Sequence, residues 1–209
     1  MYDASKERKE DVPFEEQVKA IGELIKDGKI KHWGVCNETT YGVCELVHAA
    51  KRLGVPPPIS IQNCYNLFNR SFETELAEAC TRSHYNIGLL AYSPLAGGQL
   101  TGKYLNGKPA GARSTKYPQF QQRFFKDSTL DAAREYADIA KKFGLTPTQL
   151  ALLWCKTRSF MGSTIIGATK VSQLEENIQA FDLELKPEME KEVNMAFRRY
   201  GNPASEDFL

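Results

Sequence analysis

Residues 86–92 (NIGLLAY) form a short, nearly unbroken apolar run between two segments whose apolar residues recur at helical spacing. Such a run marks a strand buried on both faces, as in a parallel sheet covered by helices. Three further runs stand in the same relation to helical segments, and this fourfold alternation points to an α/β fold. Ahead of the first run, Phe14, Val18, Ile21, Leu24 and Ile25 lie three or four apart, with Pro13 suited to the start of a helix and Gly28 to its close. The pattern then predicts a strand over 30–35, a helix over 40–53, a strand over 59–62 after three prolines, and a helix over 72–82 that Ser71 can cap. Beyond the strand at 86–92 come a loop rich in Gly, Pro and Lys over 93–127 and helices over 129–143 and 147–158. A fourth strand over 163–166 and helices over 172–181 and 187–200 complete the pattern.

Short connections between alternating strands and helices imply parallel strands joined by right-handed crossovers. An open doubly wound sheet and a (β/α) barrel both satisfy this pattern. In either one, ligands bind at the C-terminal ends of the strands. Those ends read Cys36-Asn37, Gln62-Asn63, Tyr92-Ser93-Pro94 and Gly167-Ala168-Thr169. Charge narrows the partners: Lys and Arg number 27 against 26 Asp and Glu, so neither nucleic acid nor an anionic membrane surface is indicated. No apolar run approaches the roughly 18 residues of a membrane span. The five cysteines include no C-x-x-C pair, which fits reduced thiols in an intracellular, cytoplasmic protein rather than a zinc ribbon or disulfide scaffold.

The strand ends carry chemistry of one kind. Asn37 and Gln62 each present an amide that donates and accepts, so together they suit a ligand that is itself a carboxamide; Asn37 could equally cap the next helix. Tyr92 can offer its ring face to a flat ligand, or lie in the core. Gly97, Gly98 and Gly102 allow close backbone approach, and Lys103 and Arg113 add charge suited to an anion such as a pyrophosphate. Gly167-Ala168-Thr169-Lys170 leads into a helix whose first amides could bind phosphate. His32-Trp33 invites a catalytic reading, but strand alternation places both residues in the wall of the sheet.

At this point four segments carry a resemblance. GKIKHWGVCNET, IQNCYNLFNRSFE, GLLAYSPLAGGQLTGKYLNGKPAGAR and STIIGATKVSQLEENI, in this order, resemble the C-terminal half of an aldo-keto reductase, in the branch holding bacterial and plant general reductases and potassium-channel beta subunits. The likeness covers about residues 13–200. It implies a (β/α)8 TIM-barrel type fold of which this chain supplies strands five to eight, with NADP(H) extended across the C-terminal mouth. Carried over by position, Asn37 and Gln62 would hold the nicotinamide carboxamide, and Tyr92 would stack on the ring. Cys36 stands where the family usually has Ser, a better donor than a thiol. Ser93, Pro94, Leu95, Gly97, Lys103 and Arg113 would follow the pyrophosphate. Gly167, Ala168, Thr169, Gln173, Glu176 and Asn177 would hold the adenosine and its 2′-phosphate.

The family reduces small carbonyl substrates by hydride transfer, with a Tyr as proton donor, a Lys and an Asp that tune it, and a His that orients substrate. The resemblance places all four in the half-barrel that residues 1–12, a charged leader, cannot supply. This chain alone is therefore expected to bind cofactor without catalysing. The alternative is a non-catalytic binding or assembly subunit whose open barrel is completed by a partner or a second copy.

Overall fold

The structure is a computed structural model and describes residues 12–204. The expected leader lies, Val12 apart, outside the described residues. Helix α1 (Phe14–Lys26) precedes β1 (Gly34–Cys36), α2 (Thr40–Leu53), β2 (Ser60–Cys64), α3 (Leu76–Cys80) and β3 (Gly88–Tyr92). Then come α4 (Arg113–Lys116), α5 (Asp127–Lys142), α6 (Pro147–Lys156), β4 (Met161–Thr164), α7 (Val171–Gln179) and α8 (Pro187–Tyr200). Among the described residues the strands form one parallel sheet in the order β1-β2-β3-β4, the arrangement of a four-stranded part of a (β/α) barrel.

Three elements depart from the sequence pattern, each for a local reason. Strand β1 begins at Gly34 rather than residue 30. Its neighbour is led in by Pro56, Pro57 and Pro58, which have no N–H to offer; the first bond across is Ile59 N–H to the Trp33 carbonyl at 3.0 Å. His32 is consequently exposed rather than part of the wall, while Trp33 is half-buried and donates its Nε1–H to the Pro56 carbonyl at 2.7 Å. Strand β4 lies two residues earlier than expected because Gly162 bulges between Met161, paired with Leu89, and Ser163, paired with Leu90. The bulge needs glycine: a Cβ on Gly162 would come within 3.2 Å of the Gly88 Cα.

The helix expected over 72–82 is broken into a 3-10 turn, Ser71–Glu73, and the short α3. Glu73, half-buried, is pulled toward Arg70 and Tyr65 instead. Its carboxylate accepts from Arg70 Nε at 2.8 Å and Nη2 at 2.6 Å, and from the Tyr65 hydroxyl at 2.5 Å. The Arg70 guanidinium lies between the rings of Trp154 (4.9 Å) and Phe197 (4.2 Å) and donates to Asn194 Oδ1 at 2.8 Å. One ion pair, with Arg70 buried and Glu73 half-buried, thus ties the β2–α3 connection to α6 and α8. Burial and the neighbouring Glu73 charge both push the Tyr65 hydroxyl well above the usual phenol range.

The two faces of the sheet differ. Ile61, Leu89 and Ala91 are fully buried, with Trp154, Tyr65 and Phe68 in the same core. The opposite face carries Cys36, Gln62, Leu90 and Tyr92, all half-buried or exposed. β1 and β4 are its outer strands, each with one neighbour among the described residues.

Candidate functional site

Because the strands are parallel, their C-terminal ends share one edge of the sheet. At the end of β1 the chain turns at Asn37, whose φ of 52° lies in the left-handed region that Asn tolerates. Its backbone N–H donates to the Gln62 carbonyl at 3.1 Å and to Asn63 Oδ1 at 2.9 Å. Thr39, not Asn37, caps α2, with Oγ1 accepting from Gly42 N–H at 3.1 Å. The Asn37 amide is left to meet Tyr92, whose hydroxyl donates to Asn37 Oδ1 at 3.1 Å. Register sets Gln62 beside Cys36 and Leu90 on the same face. Neither Asn37 Nδ2 nor the Gln62 amide is hydrogen-bonded to a described residue. Two amides with unused donors beside one phenol ring make a set complementary to a planar ring bearing a carboxamide.

The turn after β3 is the most constrained segment of this edge. Ser93, Ala96, Gly97 and Gly98 have φ of 54°, 48°, 63° and 97°. Two side chains that the sequence did not single out hold it. Asn66 is fully buried; its Nδ2 donates to the Ser93 carbonyl and its Oδ1 accepts from Phe68 N–H, both at 2.9 Å. Gln121 Nε2 donates to Ser93 Oγ at 3.0 Å. The only hint of Asn66 in the sequence is an amide inside the aromatic run YNLF just past a strand end. Pro94 is buried, and the half-buried Leu95 accepts at its carbonyl from Gly98 N–H at 2.8 Å.

The Lys103 ammonium rests against Gly98, where a Cβ would stand 2.8 Å from Nζ, and lies 5.1 Å from the Tyr104 ring. Arg113 is exposed, its guanidinium 5.5 Å over the Phe120 ring, and is not hydrogen-bonded to Ser93 or Lys103. Gln99 Oε1, Ser114 Oγ and Thr115 Oγ1 are buried without a partner among the described residues. Cys64 ends β2 on the same face as Gln62 and Tyr92, but burial pushes its thiol up to about 11 against the lowering charge of Arg123, so it stays neutral.

Beyond β4, Gly167, Ala168 and Thr169 are exposed, and Gln173 Oε1 accepts from Thr169 N–H at 3.0 Å and Oγ1 at 3.1 Å. No side chain caps α7, which leaves its first amides and the adjacent Lys170 for an anion. Glu176 accepts from Thr146 Oγ1 at 2.6 Å, and Asn177 is buried. The structure thus joins Asn37 to Tyr92, and Ser93 to Gln121, while the α7 group stands apart near the other outer strand. The separation is three strand spacings, roughly 14 Å at about 4.8 Å each.

A cavity of about 770 Å³ lies elsewhere, beside the start of β4. Its cations are largely engaged: Lys156 donates to the carbonyls of Phe181 and Leu183, and Arg158 pairs with Glu190 at 2.7 Å, leaving only Arg158 Nε without a partner among the described residues. It holds no pair of side-chain amides like that at the strand ends. The strand-end residues do fit a dinucleotide, with amides for a carboxamide, a glycine-rich turn beside Lys103, and an uncapped helix start beside a lysine.

Comparison with known proteins follows the same lines. Residues 7–196 match the model of the aldo/keto reductase family. The chain is 44% identical over 186 residues to protein Tas of Escherichia coli K12, covering 88% of this chain and 53% of that protein. It is 37% identical over 198 residues to an aldo-keto reductase of Babesia bovis, covering 92% and 70%. A third relative, from Schizosaccharomyces pombe and provisionally named a voltage-gated potassium channel subunit beta, is 36% identical over 191 residues, covering 88% and 55%. The chain spans about half the length of the first and third of these proteins.

Proposed function

The chain belongs to the aldo/keto reductase family, and we propose that it binds NADP(H) along the C-terminal edge of its sheet as the cofactor-binding half of a carbonyl reductase. The observation that carries this reading is the Tyr92 hydroxyl at 3.1 Å from Asn37 Oδ1, with Gln62 on the same strand face. NADPH, when bound, supplies a hydride for a carbonyl carbon. Asn37 and Gln62 fix the rotation of the nicotinamide through its carboxamide, and the Tyr92 ring backs one face so that the other is presented to substrate. Ser93, Pro94, Leu95, Gly97, Lys103 and Arg113 follow the pyrophosphate. Gly167, Ala168, Thr169, Gln173, Glu176 and Asn177 take the adenosine and its 2′-phosphate, with Lys170 adding charge. The separation of the two outer strand ends, roughly 14 Å, suits an extended dinucleotide. The proton-donating Tyr, its Lys and Asp, and the orienting His have no counterpart in the four matched segments; in this reading a further half-barrel supplies them.

A second reading has its own support. β1 and β4 are outer strands among the described residues, and Val171, Leu174 and Ile178 expose an apolar stripe on α7. One relative carries a channel-subunit name. A non-catalytic subunit completed by a protein partner would also keep the cofactor edge.

Titrating the protein with NADPH while following nucleotide fluorescence tests the first reading. Micromolar binding is expected, weakened by Asn37→Ala and by Gln62→Ala. An unchanged signal in folded protein removes the cofactor from the proposal. Oxidation of NADPH with 4-nitrobenzaldehyde separates the roles: this chain alone should show no turnover, and robust turnover would sink the claim that the acid lies elsewhere.

A further inference from the structure

Ser93 is held from two sides by amide donors. Asn66 Nδ2 donates to its carbonyl at 2.9 Å and Gln121 Nε2 to its hydroxyl oxygen at 3.0 Å. Both donors come from connections outside the β3–α4 turn, 27 and 28 residues away in sequence. Gln121 is itself locked: it has φ of 54°, and its Oε1 lies 3.0 Å from where a Cβ on Gly97 would stand. Its amide is therefore wedged between two left-handed positions of the turn, Ser93 and Gly97.

The consequence concerns one hydrogen. A hydroxyl has one proton to give and lone pairs to receive. With Ser93 Oγ receiving from Gln121, its own hydrogen is turned away from that amide, and no described residue accepts it. Ser93 is half-buried, so the hydrogen is within reach of a ligand on this edge. We propose that Gln121 is a positioning residue that presets the Ser93 hydroxyl as a donor to a pyrophosphate-bearing ligand. The proposal rests on the cofactor reading above and assigns a role to a residue outside the set that the family likeness marks.

Calorimetric titration with NADP⁺ and, separately, with inorganic pyrophosphate tests it. Ser93→Ala should weaken both about tenfold, the usual worth of a hydrogen bond to a charged group. Gln121→Ala should weaken both severalfold, and adding it to Ser93→Ala should weaken them no further, because Gln121 acts through Ser93. Gln121→Glu should be worse than Gln121→Ala at neutral pH: a carboxylate takes the Ser93 hydrogen and repels phosphate. Its binding should recover relative to wild type as pH falls toward the glutamate range, about 4.3, a response that a packing role does not produce.

Wild-type affinity in Gln121→Glu at neutral pH overturns the proposal, as does a double variant whose losses multiply. If Ser93→Ala does not fold by circular dichroism, Ser93→Gly, suited to the left-handed backbone, repeats the measurement. NADP⁺ binding that ignores Ser93 leaves the cofactor reading standing and overturns this inference. Pyrophosphate binding without NADP⁺ binding does the reverse, and absence of both overturns both.

Discussion

Replacing Asn66 with Ala removes one of the two donors to the Ser93 carbonyl, leaving Ala96 N–H at 2.9 Å, and the acceptor that satisfies Phe68 N–H. Asn66 and Phe68 are both fully buried, so water does not readily reach the stranded Phe68 amide. Leaving such a group unpaired costs about 1–3 kcal/mol. The Ser93 carbonyl sits in a half-buried residue and loses about 1 kcal/mol, since solvent can partly replace the lost donor. Release of Ser93 from its left-handed φ returns up to about 1 kcal/mol. The expected net loss is about 1–4 kcal/mol, a large share of a typical domain stability of about 5–15 kcal/mol. Urea unfolding followed by tryptophan fluorescence measures it, because Trp154 is fully buried and Trp33 half-buried. Asn66→Asp separates the two bonds: it keeps an acceptor for Phe68 but turns a carboxylate toward the Ser93 carbonyl, and should be at least as damaging as Asn66→Ala at neutral pH. A loss under about 0.5 kcal/mol in Asn66→Ala, the range of an ordinary surface change, or a wild-type Asn66→Asp, refutes the reasoning.

Other expectations follow from the same contacts. Arg70→Ala should destabilise by about 3–5 kcal/mol in urea, because Glu73 loses its bidentate partner, whereas Arg70→Met with Glu73→Leu should cost less than Arg70→Ala alone. Gly98→Ala should lower stability by about 1–2 kcal/mol through its φ of 97° and weaken NADPH binding by displacing Lys103, both readable in one titration series. Exposed Cys36 should react with a thiol reagent well before buried Cys80 and Cys155, whose labelling should require urea. The ordinary thiol value of 9.0 is pushed up to about 11 at Cys64 and about 12 at Cys155 by burial. The folded state therefore keeps protons that the unfolded chain gives up. Stability should be complete below pH 9 and decline as pH rises through 11, and Cys64→Ala should flatten that decline.

Legibility in the sequence tracked the range of the interactions involved. The four strands and their parallel direction followed from apolar runs and helical spacing, both local properties, whereas their sequential order did not. The start of β1 did not, because it depends on prolines in the neighbouring strand that cannot donate across the gap. The broken helix after residue 71 depends on Glu73 reaching Arg70, whose own partner Asn194 is 124 residues away. Asn37 and Tyr92 were visible as strand ends, but only the structure gives the capping role to Thr39 and pairs the Asn37 amide with Tyr92. Asn66 and Gln121 left almost no trace, since each acts on one atom of Ser93 brought near by the fold.

The claim that the nicotinamide sits between Asn37, Gln62 and Tyr92 is tested most directly by the side-chain amide and aromatic resonances of the protein during titration with NADP⁺. Saturable shifts at the Asn37 and Gln62 amides and the Tyr92 ring are expected, together with shifts at the backbone amides of Thr169 and Val171. Lys156, Arg158 and Leu183, around the 770 Å³ cavity beside the start of β4, should stay unmoved. Shifts confined to that cavity, with Asn37, Gln62 and Tyr92 unchanged, would contradict the assignment.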